Sequence, residues 1–171
     1  MTVHTTYFAA LDYEKVTPAE DAVVLGVVRQ PHGWVEDLVD RNVPAVAPPD
    51  ALLDALKRVE AAAEDDDGIE DATATAWTSV GFADQYRDHL REDRLDDVLG
   101  TLREHDREGE LWLVCYERDP RFCHRRILAS ELTRGRDVEP VHHPEPGVDD
   151  ERDERSRTPN ARLDAFAEGS P

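Results

Sequence analysis

Short apolar runs alternate along the chain with longer amphipathic segments. Three of these runs predict strands, from Thr2 to Phe8, from 22 to 29 and from Glu110 to Tyr116. The third run is apolar on both faces after its first residue, which is typical of a central strand in a parallel sheet. A short fourth strand is predicted over 137–141, and Pro140 places it at an edge because proline donates no ladder hydrogen bond.

Apolar residues spaced three and four apart predict four helices between these strands. They cover 51–63, with Asp50 as N-cap, then 82–90, 94–108 with Gly109 as its stop signal, and about 120–133. Strands that alternate with helices indicate an α/β protein. We therefore expect a small, mainly parallel sheet with helices on both faces.

The length and the change of composition near residue 143 set the domain organisation. The chain has 171 residues, which suits one domain with a tail. We predict a single α/β domain over 1–143. Residues 144–171 are rich in Pro, Asp, Glu, Arg and Ser, a composition that cannot bury enough apolar surface to offset ordering. They are predicted to form an acidic, disordered tail.

The charge balance is strongly acidic, with 39 Asp and Glu against 20 Lys and Arg and a net charge of −19. The acid is spread along the chain, so we interpret it as the solubility adaptation of a halophilic protein. A nucleic-acid mimic or an acidic partner surface is the alternative. A nucleic-acid partner is not expected, because this surface repels phosphate backbones and no recognition motif is present.

The two cysteines and the hydropathy bear on localisation. No signal peptide and no apolar run of about 20 residues is visible, so we expect a cytoplasmic protein with reduced thiols and no membrane contact. No glycine-rich phosphate loop is visible and no cofactor is predicted. The oligomeric state stays open.

Chemistry-bearing residues gather where the third strand gives way to the fourth helix. Cys115 ends the apolar run, Glu117 follows it, and Cys123 and His124 fall near the start of the helix. In open α/β proteins, ligands bind beyond the carboxyl ends of the strands. A thiol near a helix N-terminus is activated towards thiolate, and a histidine beside it can act as acid or base. We predict that Cys123, His124 and Glu117 are catalytic, with Glu117 orienting His124.

Two arginines complete the predicted site, together with Cys115 at its floor. Arg29 follows the second strand and emerges at the same sheet edge if the strands are parallel. Arg125 stands next to His124, and guanidinium groups bind carboxylates and phosphates through paired hydrogen bonds. We predict that Arg29, Arg125 and Cys115 contact a ligand.

Structural interpretations of the same residues remain open. Cys115 and Cys123 can be ordinary core residues, and the arginines can form surface ion pairs. A metal site is disfavoured because only two cysteines are present, so no metal is predicted. Cys115 and Arg121 have the spacing of cysteine phosphatases, but the acidic loop with Pro120 cannot wrap a phosphate. A redox-responsive thiol is a further possibility, although a disulfide is not expected in a reducing compartment.

The segment from Cys115 to Arg125 resembles a family signature. The pattern Cys-x-Glu-x-Asp-Pro-x-x-Cys-His-Arg after an apolar strand is similar to that of the uncharacterised family called domain of unknown function 488, and weaker similarity covers most of 3–142. Residues 28–31 resemble its Asp-Val-Arg-x-x-Pro stretch, but Val27 stands in place of the Asp. The resemblance implies an α/β domain with a shared pocket and supplies no reaction.

These patterns lead to two hypotheses. The first is an enzyme, or an enzyme-derived domain, that binds a small anionic ligand such as a nucleotide or a phosphorylated metabolite. The alternative is a non-catalytic module that binds nucleic acid or protein. A concave pocket at the strand-to-helix junction favours the first, and a flat basic patch favours the second.

Overall fold

The computed structural model describes residues 2–146 and contains one five-stranded, entirely parallel sheet. The strands are β1 (Thr2–Tyr7), β2 (Val23–Gly26), β3 (Arg41–Asn42), β4 (Glu110–Cys115) and β5 (Val141–His142), in the order β3-β2-β4-β1-β5. The predicted α/β class with a parallel sheet is confirmed. The predicted tail over 144–171 falls almost wholly outside the described residues.

Six α-helices connect and cover the strands over the described range. They are α1 (Phe8–Asp12), α2 (Asp50–Glu64), α3 (Ala72–Val80), α4 (Phe82–Leu90), α5 (Asp96–Glu108) and α6 (His124–Thr133). Short 3₁₀ turns cover Gly33–Leu38, Pro44–Val46, Asp93–Leu95 and Pro120–Phe122. No helix in this range is long and apolar enough to cross a membrane.

β4 is the central strand, as its continuous apolar run predicts. It pairs with β1 on one side and β2 on the other, and every residue from Leu111 to Cys115 is buried. Successive side chains of a strand point to opposite faces, so both faces of β4 are covered. Because these strands are parallel, the carboxyl ends of β1, β2 and β4 meet at one edge of the sheet.

β2 is shorter than predicted: the Val27 N–H still donates to the Val114 carbonyl at 2.9 Å, but at Val28 a side chain takes over the hydrogen bonding. The Val28 N–H donates to Asn42 Oδ1 at 3.2 Å, and Asn42 Nδ2 donates to the Val28 carbonyl at 2.8 Å. The predicted strand over 137–141 was also misplaced, since β5 covers only residues 141 and 142 and lies at the β1 edge.

Two predicted helix boundaries were wrong. Asp50 does not cap α2: Pro49 is the N-cap, and the Asp50 carboxylate accepts a hydrogen bond from Arg29 Nε at 3.0 Å. Asp119 caps the 3₁₀ turn that starts at Pro120, with its Oδ1 accepting from the Arg121 N–H at 2.9 Å. Cys123 is extended, with φ −132° and ψ 137°, and is itself the N-cap of α6. The helix therefore begins four residues later than predicted.

Candidate functional site

Two cysteines from different elements meet at the carboxyl edge of the sheet. Cys115 is the last residue of β4, Cys123 is the N-cap of α6, and both are buried. Both thiols are free, and their Sγ atoms lie 2.6 Å apart. Contact between the last residue of the central strand and the first turn of the following helix brings the two together.

The pKa values of the two thiols are shifted in opposite directions. Burial, reinforced by the hydrogen bond to Cys123, raises the pKa of Cys115 well above its usual value. Burial alone would also raise the pKa of Cys123, but the hydrogen bond from the Cys115 thiol, with the charge and backbone amide of Arg125, lowers it. A helix N-terminus favours an anion in the same position. Cys123 is therefore the sulfur that ionises first.

His124 is held by the backbone of the neighbouring strand end. Its Nε2 lies 2.6 Å from the Val27 carbonyl oxygen, which can only accept, so Nε2 carries the proton in the neutral ring. Burial lowers the pKa of His124, which favours this neutral form. Nδ1 then has a free lone pair, and it lies 3.9 Å from Cys123 Sγ. His124 is thus arranged to accept a proton from Cys123.

Arg125 is not placed to bind a ligand anion, as its predicted role requires, because its NH1 and NH2 groups donate to other atoms of the protein. The residue is fully buried, with NH1 donating to Cys115 Sγ at 3.1 Å and to the Glu117 carbonyl, and NH2 donating to the Arg118 carbonyl at 2.9 Å. Although burial opposes its charge, the two sulfur groups raise the pKa of Arg125. Arg125 fixes the loop after β4 and places a buried positive charge beside both thiols.

A cavity of about 640 Å³ reaches the thiols and the imidazole. We call it the cysteine cavity, and Cys115, Cys123 and His124 all line it. Its volume falls in the usual range for small-molecule sites. The surface at the strand-to-helix junction is thus concave.

One wall of the cysteine cavity is aromatic. Trp77 of α3 stacks on Phe82 of α4 with ring centroids 4.2 Å apart and meets Phe122 edge-on at 6.1 Å. Across the cavity, the Tyr116 hydroxyl accepts from the His32 N–H at 2.7 Å and donates to the Gln30 carbonyl at 3.2 Å. Tyr116 therefore fixes the loop that carries Arg29.

The rim of the cysteine cavity is charged. Arg29 lines the cavity and pairs with Asp50 at 3.0 Å. Lys57, one of two lysines in the chain, also lines the cavity. Four carboxylates also line the cavity: Asp50, Asp54, Glu60 and Glu117. An anionic group would have to reach the two cations in competition with these carboxylates.

Glu117 lies at the rim, exposed, and makes no hydrogen bond to His124, although its charge partly offsets the lowering of the pKa of His124 by burial. The Val27 carbonyl occupies the orienting position instead. The predicted orienting role of Glu117 therefore passes to a backbone group, at the position where the family pattern has Asp. Sequence reasoning missed this contact, as it missed Trp77 and Lys57, which come from helices distant in the chain.

Among residues 2–146, no group of three or more His, Cys, Asp and Glu side chains is arranged to hold a metal ion.

Tyr86 packs in the core rather than lining the cavity, with its hydroxyl donating to the Val46 carbonyl at 2.6 Å and its ring edge-on to His124.

Comparison with known proteins gives one family. A family model described as the active DUF488-N3 subclade matches residues 7–135, a range that contains Cys115, Cys123, His124 and Arg125. No curated protein and no solved structure matches the chain significantly. The match covers most of the chain, including β2, β3 and β4 in full, so this protein belongs to the DUF488 family.

Proposed function

We propose that the protein is an enzyme in which the Cys123 thiolate acts as a nucleophile on a small ligand bound in the cysteine cavity. The observation that carries the proposal is the position of Cys123, whose acidified thiol lies at a helix N-cap on the floor of a cavity of ligand size. The description of the family model as an active subclade agrees with it.

His124 is the acid–base group in this proposal. Its neutral Nδ1 accepts the proton from Cys123 and returns it to the group that leaves the substrate. The Val27 carbonyl holds the ring in the tautomer that this transfer requires. Arg125 is a positioning residue, since it acts on the two thiols and the loop without lining the cavity.

The walls support a ligand with an aromatic part and an anionic part. Trp77 and Phe122 offer ring faces and edges, while Arg29 and Lys57 provide the cations at the rim. A nucleotide or another phosphorylated metabolite with a ring system fits both features. The concave shape of the site favours this hypothesis over a flat surface for nucleic acid or protein.

Protection of Cys123 from alkylation tests the proposal at the site itself. The protein is treated with iodoacetamide in the presence of nucleoside monophosphates or sugar phosphates, and modified peptides are quantified by mass spectrometry. We expect at least one of these compounds to slow modification of Cys123, and Lys57→Ala to remove the protection. If none of them protects Cys123 at millimolar concentration, the proposed ligand class is wrong.

A thiol–disulfide exchange activity is the second candidate, and the direct contact of the two sulfurs favours it. Cys123 thiolate attacks a low-molecular-weight disulfide, forms a mixed disulfide and releases one thiolate. The Cys115 thiol then loses its proton and attacks the Cys123 sulfur, which forms the internal disulfide and releases the second thiolate.

The products of the two steps are separable. Treatment with oxidised glutathione should lower the mass of the protein by two hydrogens and leave no adduct, and dithiothreitol should reverse this change. Cys115→Ser should stop at a stable glutathione adduct on Cys123. If wild type accumulates only the adduct, or does not react, the exchange activity is excluded.

A further inference from the structure

A second cavity, of about 490 Å³, lies at the other end of α4 and α6. Phe82 at the start of α4 lines the cysteine cavity, whereas Leu90 and Arg91 at its end line the second cavity. In α6, His124 at the start lines the cysteine cavity and Leu132 near the end lines the second cavity. The two cavities are therefore separate spaces. Each is lined by one end of α4 and one end of α6.

Arginine dominates the lining of this second cavity. Five arginines face two carboxylates, whereas the whole chain has about twice as many acidic as basic residues. We call it the arginine cavity; its charged lining residues are Arg91, Arg103, Arg107, Arg134, Arg136, Asp96 and Glu131. In a protein of net charge −19, this is a local reversal of sign.

Most of the guanidinium donors in the arginine cavity are available. Arg103 and Arg107 lie four residues apart on α5, and within residues 2–146 neither has a carboxylate within ion-pair distance. The other three each contact a carboxylate: Arg91 with Asp88 at 3.6 Å, Arg134 with Glu131 at 3.4 Å, and Arg136 with Asp106. Because each guanidinium has five N–H donors, such pairs leave many of them for a ligand.

The remaining lining is apolar. Leu90, Leu99 and Leu132 are buried and contribute to the floor. A floor of this kind lowers the local dielectric constant and strengthens attraction between guanidinium groups and an anion.

Helix dipoles explain only part of the cluster. Arg91 follows the last residue of α4 and Arg134 follows that of α6, where a positive charge stabilises the helix end. Arg103 lies in the middle of α5, so this stabilisation does not apply to it. The convergence of arginines from three helices on one hollow needs a second reason.

We propose that the arginine cavity binds a small molecule that carries two or more linked phosphate groups. Arginine forks bind phosphate oxygens through paired, charge-assisted hydrogen bonds, and several guanidinium groups around one hollow match several adjacent phosphates. A single phosphate engages only part of the cluster. The proposal is independent of the chemistry assigned to Cys123.

Calorimetric titration of the full chain with inorganic tripolyphosphate tests the proposal at about 0.1 M salt, where screening is moderate. We expect saturable binding with one site per chain, and weaker binding of monophosphate. Arg103→Ala and Arg107→Ala should each weaken tripolyphosphate binding by about tenfold or more, as loss of a charge-assisted hydrogen bond predicts. Both side chains are at least partly exposed, and circular dichroism verifies that the variants fold.

Two control variants make the test specific. Arg58→Ala removes the same charge from an exposed position outside both cavities, and Lys57→Ala removes a cation from the cysteine cavity. Both should change the affinity by less than about twofold. ADP and pyrophosphate then distinguish a nucleoside from an inorganic ligand. The proposal is overturned if wild type shows no saturable binding, if Arg58→Ala weakens it as much as Arg103→Ala, or if Lys57→Ala alone abolishes it.

Discussion

Replacement of Arg125 by methionine should both destabilise the fold and raise the pKa of Cys123. The guanidinium is fully buried and donates to the carbonyls of Glu117 and Arg118 and to Cys115 Sγ. Methionine matches the length of the stem but donates no hydrogen bond. Two partly buried carbonyl groups would lose a donor, and the thiols would lose the nearby positive charge.

The magnitude follows from these lost contacts. A buried acceptor that loses its donor costs about 1–3 kcal/mol and a partly buried one costs less, so the larger part comes from removing one partner of a buried charged cluster, which costs about 3–5 kcal/mol. We therefore expect Arg125→Met to lower the free energy of unfolding by about 3–5 kcal/mol. The charge of Arg125 is one of the interactions that lower the pKa of Cys123, so alkylation of Cys123 should shift to higher pH.

Urea unfolding measures the first effect, and the pH dependence of iodoacetamide modification measures the second. Arg126→Met is the matched control, because Arg126 is the next residue of α6 and is only partly buried. It should cost less than about 1 kcal/mol. Equal destabilisation by the two variants, or an unchanged alkylation profile in Arg125→Met, would show that the buried guanidinium neither stabilises the loop nor lowers the pKa of Cys123.

Three further predictions concern the rest of the fold. Gly26→Ala should cost about 1–3 kcal/mol, because its new Cβ would lie 2.7 Å from Asn42 Oδ1 and displace the side chain that bonds the end of β2. The cost should be non-additive with Asn42→Ala in a urea double-mutant cycle, and strict additivity would contradict the contact. Burial, with nearby arginine charges, lowers the pKa of His142 to about 4. Because the unfolded chain takes up this proton near pH 6.5, the free energy of unfolding should fall as the pH drops from 6.5 towards 4. An NMR titration midpoint at 6.5 would show that the ring is not buried. Tyr86→Phe should cost about 1–2 kcal/mol because a buried carbonyl loses its donor, whereas Tyr13→Phe at an exposed position should leave the unfolding midpoint unchanged.

The hydrophobic pattern predicts much of the fold. A continuous apolar run marks β4 as central, and a regular stripe marks α4 with its observed bounds. The pattern misses α3, because its sequence from Ala72 to Val80 mixes β-branched residues with alanine and has no apolar stripe. It also misses β3, since a strand of two residues has no periodicity.

The candidate site could be predicted only in part. The meeting of Cys115, Cys123 and His124 follows from one rule, that the strand end and the next helix start share an edge of the sheet. The direction of Arg125 depends on where α6 begins, and the 3₁₀ turn before Cys123 changes that position. The role of the Val27 carbonyl leaves no signal in the sequence, because every residue has a carbonyl group.

The relative acidity of the two thiols decides whether Cys123 is the nucleophile. Wild-type protein is modified with iodoacetamide across a range of pH, and the peptides that contain Cys115 and Cys123 are quantified separately. Cys123 should react first, with a midpoint below that of an unperturbed thiol, and Cys115 should ionise only at higher pH, because the pKa of Cys123 is lowered and that of Cys115 is raised. A Cys123 midpoint at or above that of a free cysteine peptide measured in the same buffers, or faster reaction of Cys115, would contradict the assignment of Cys123 as the nucleophile.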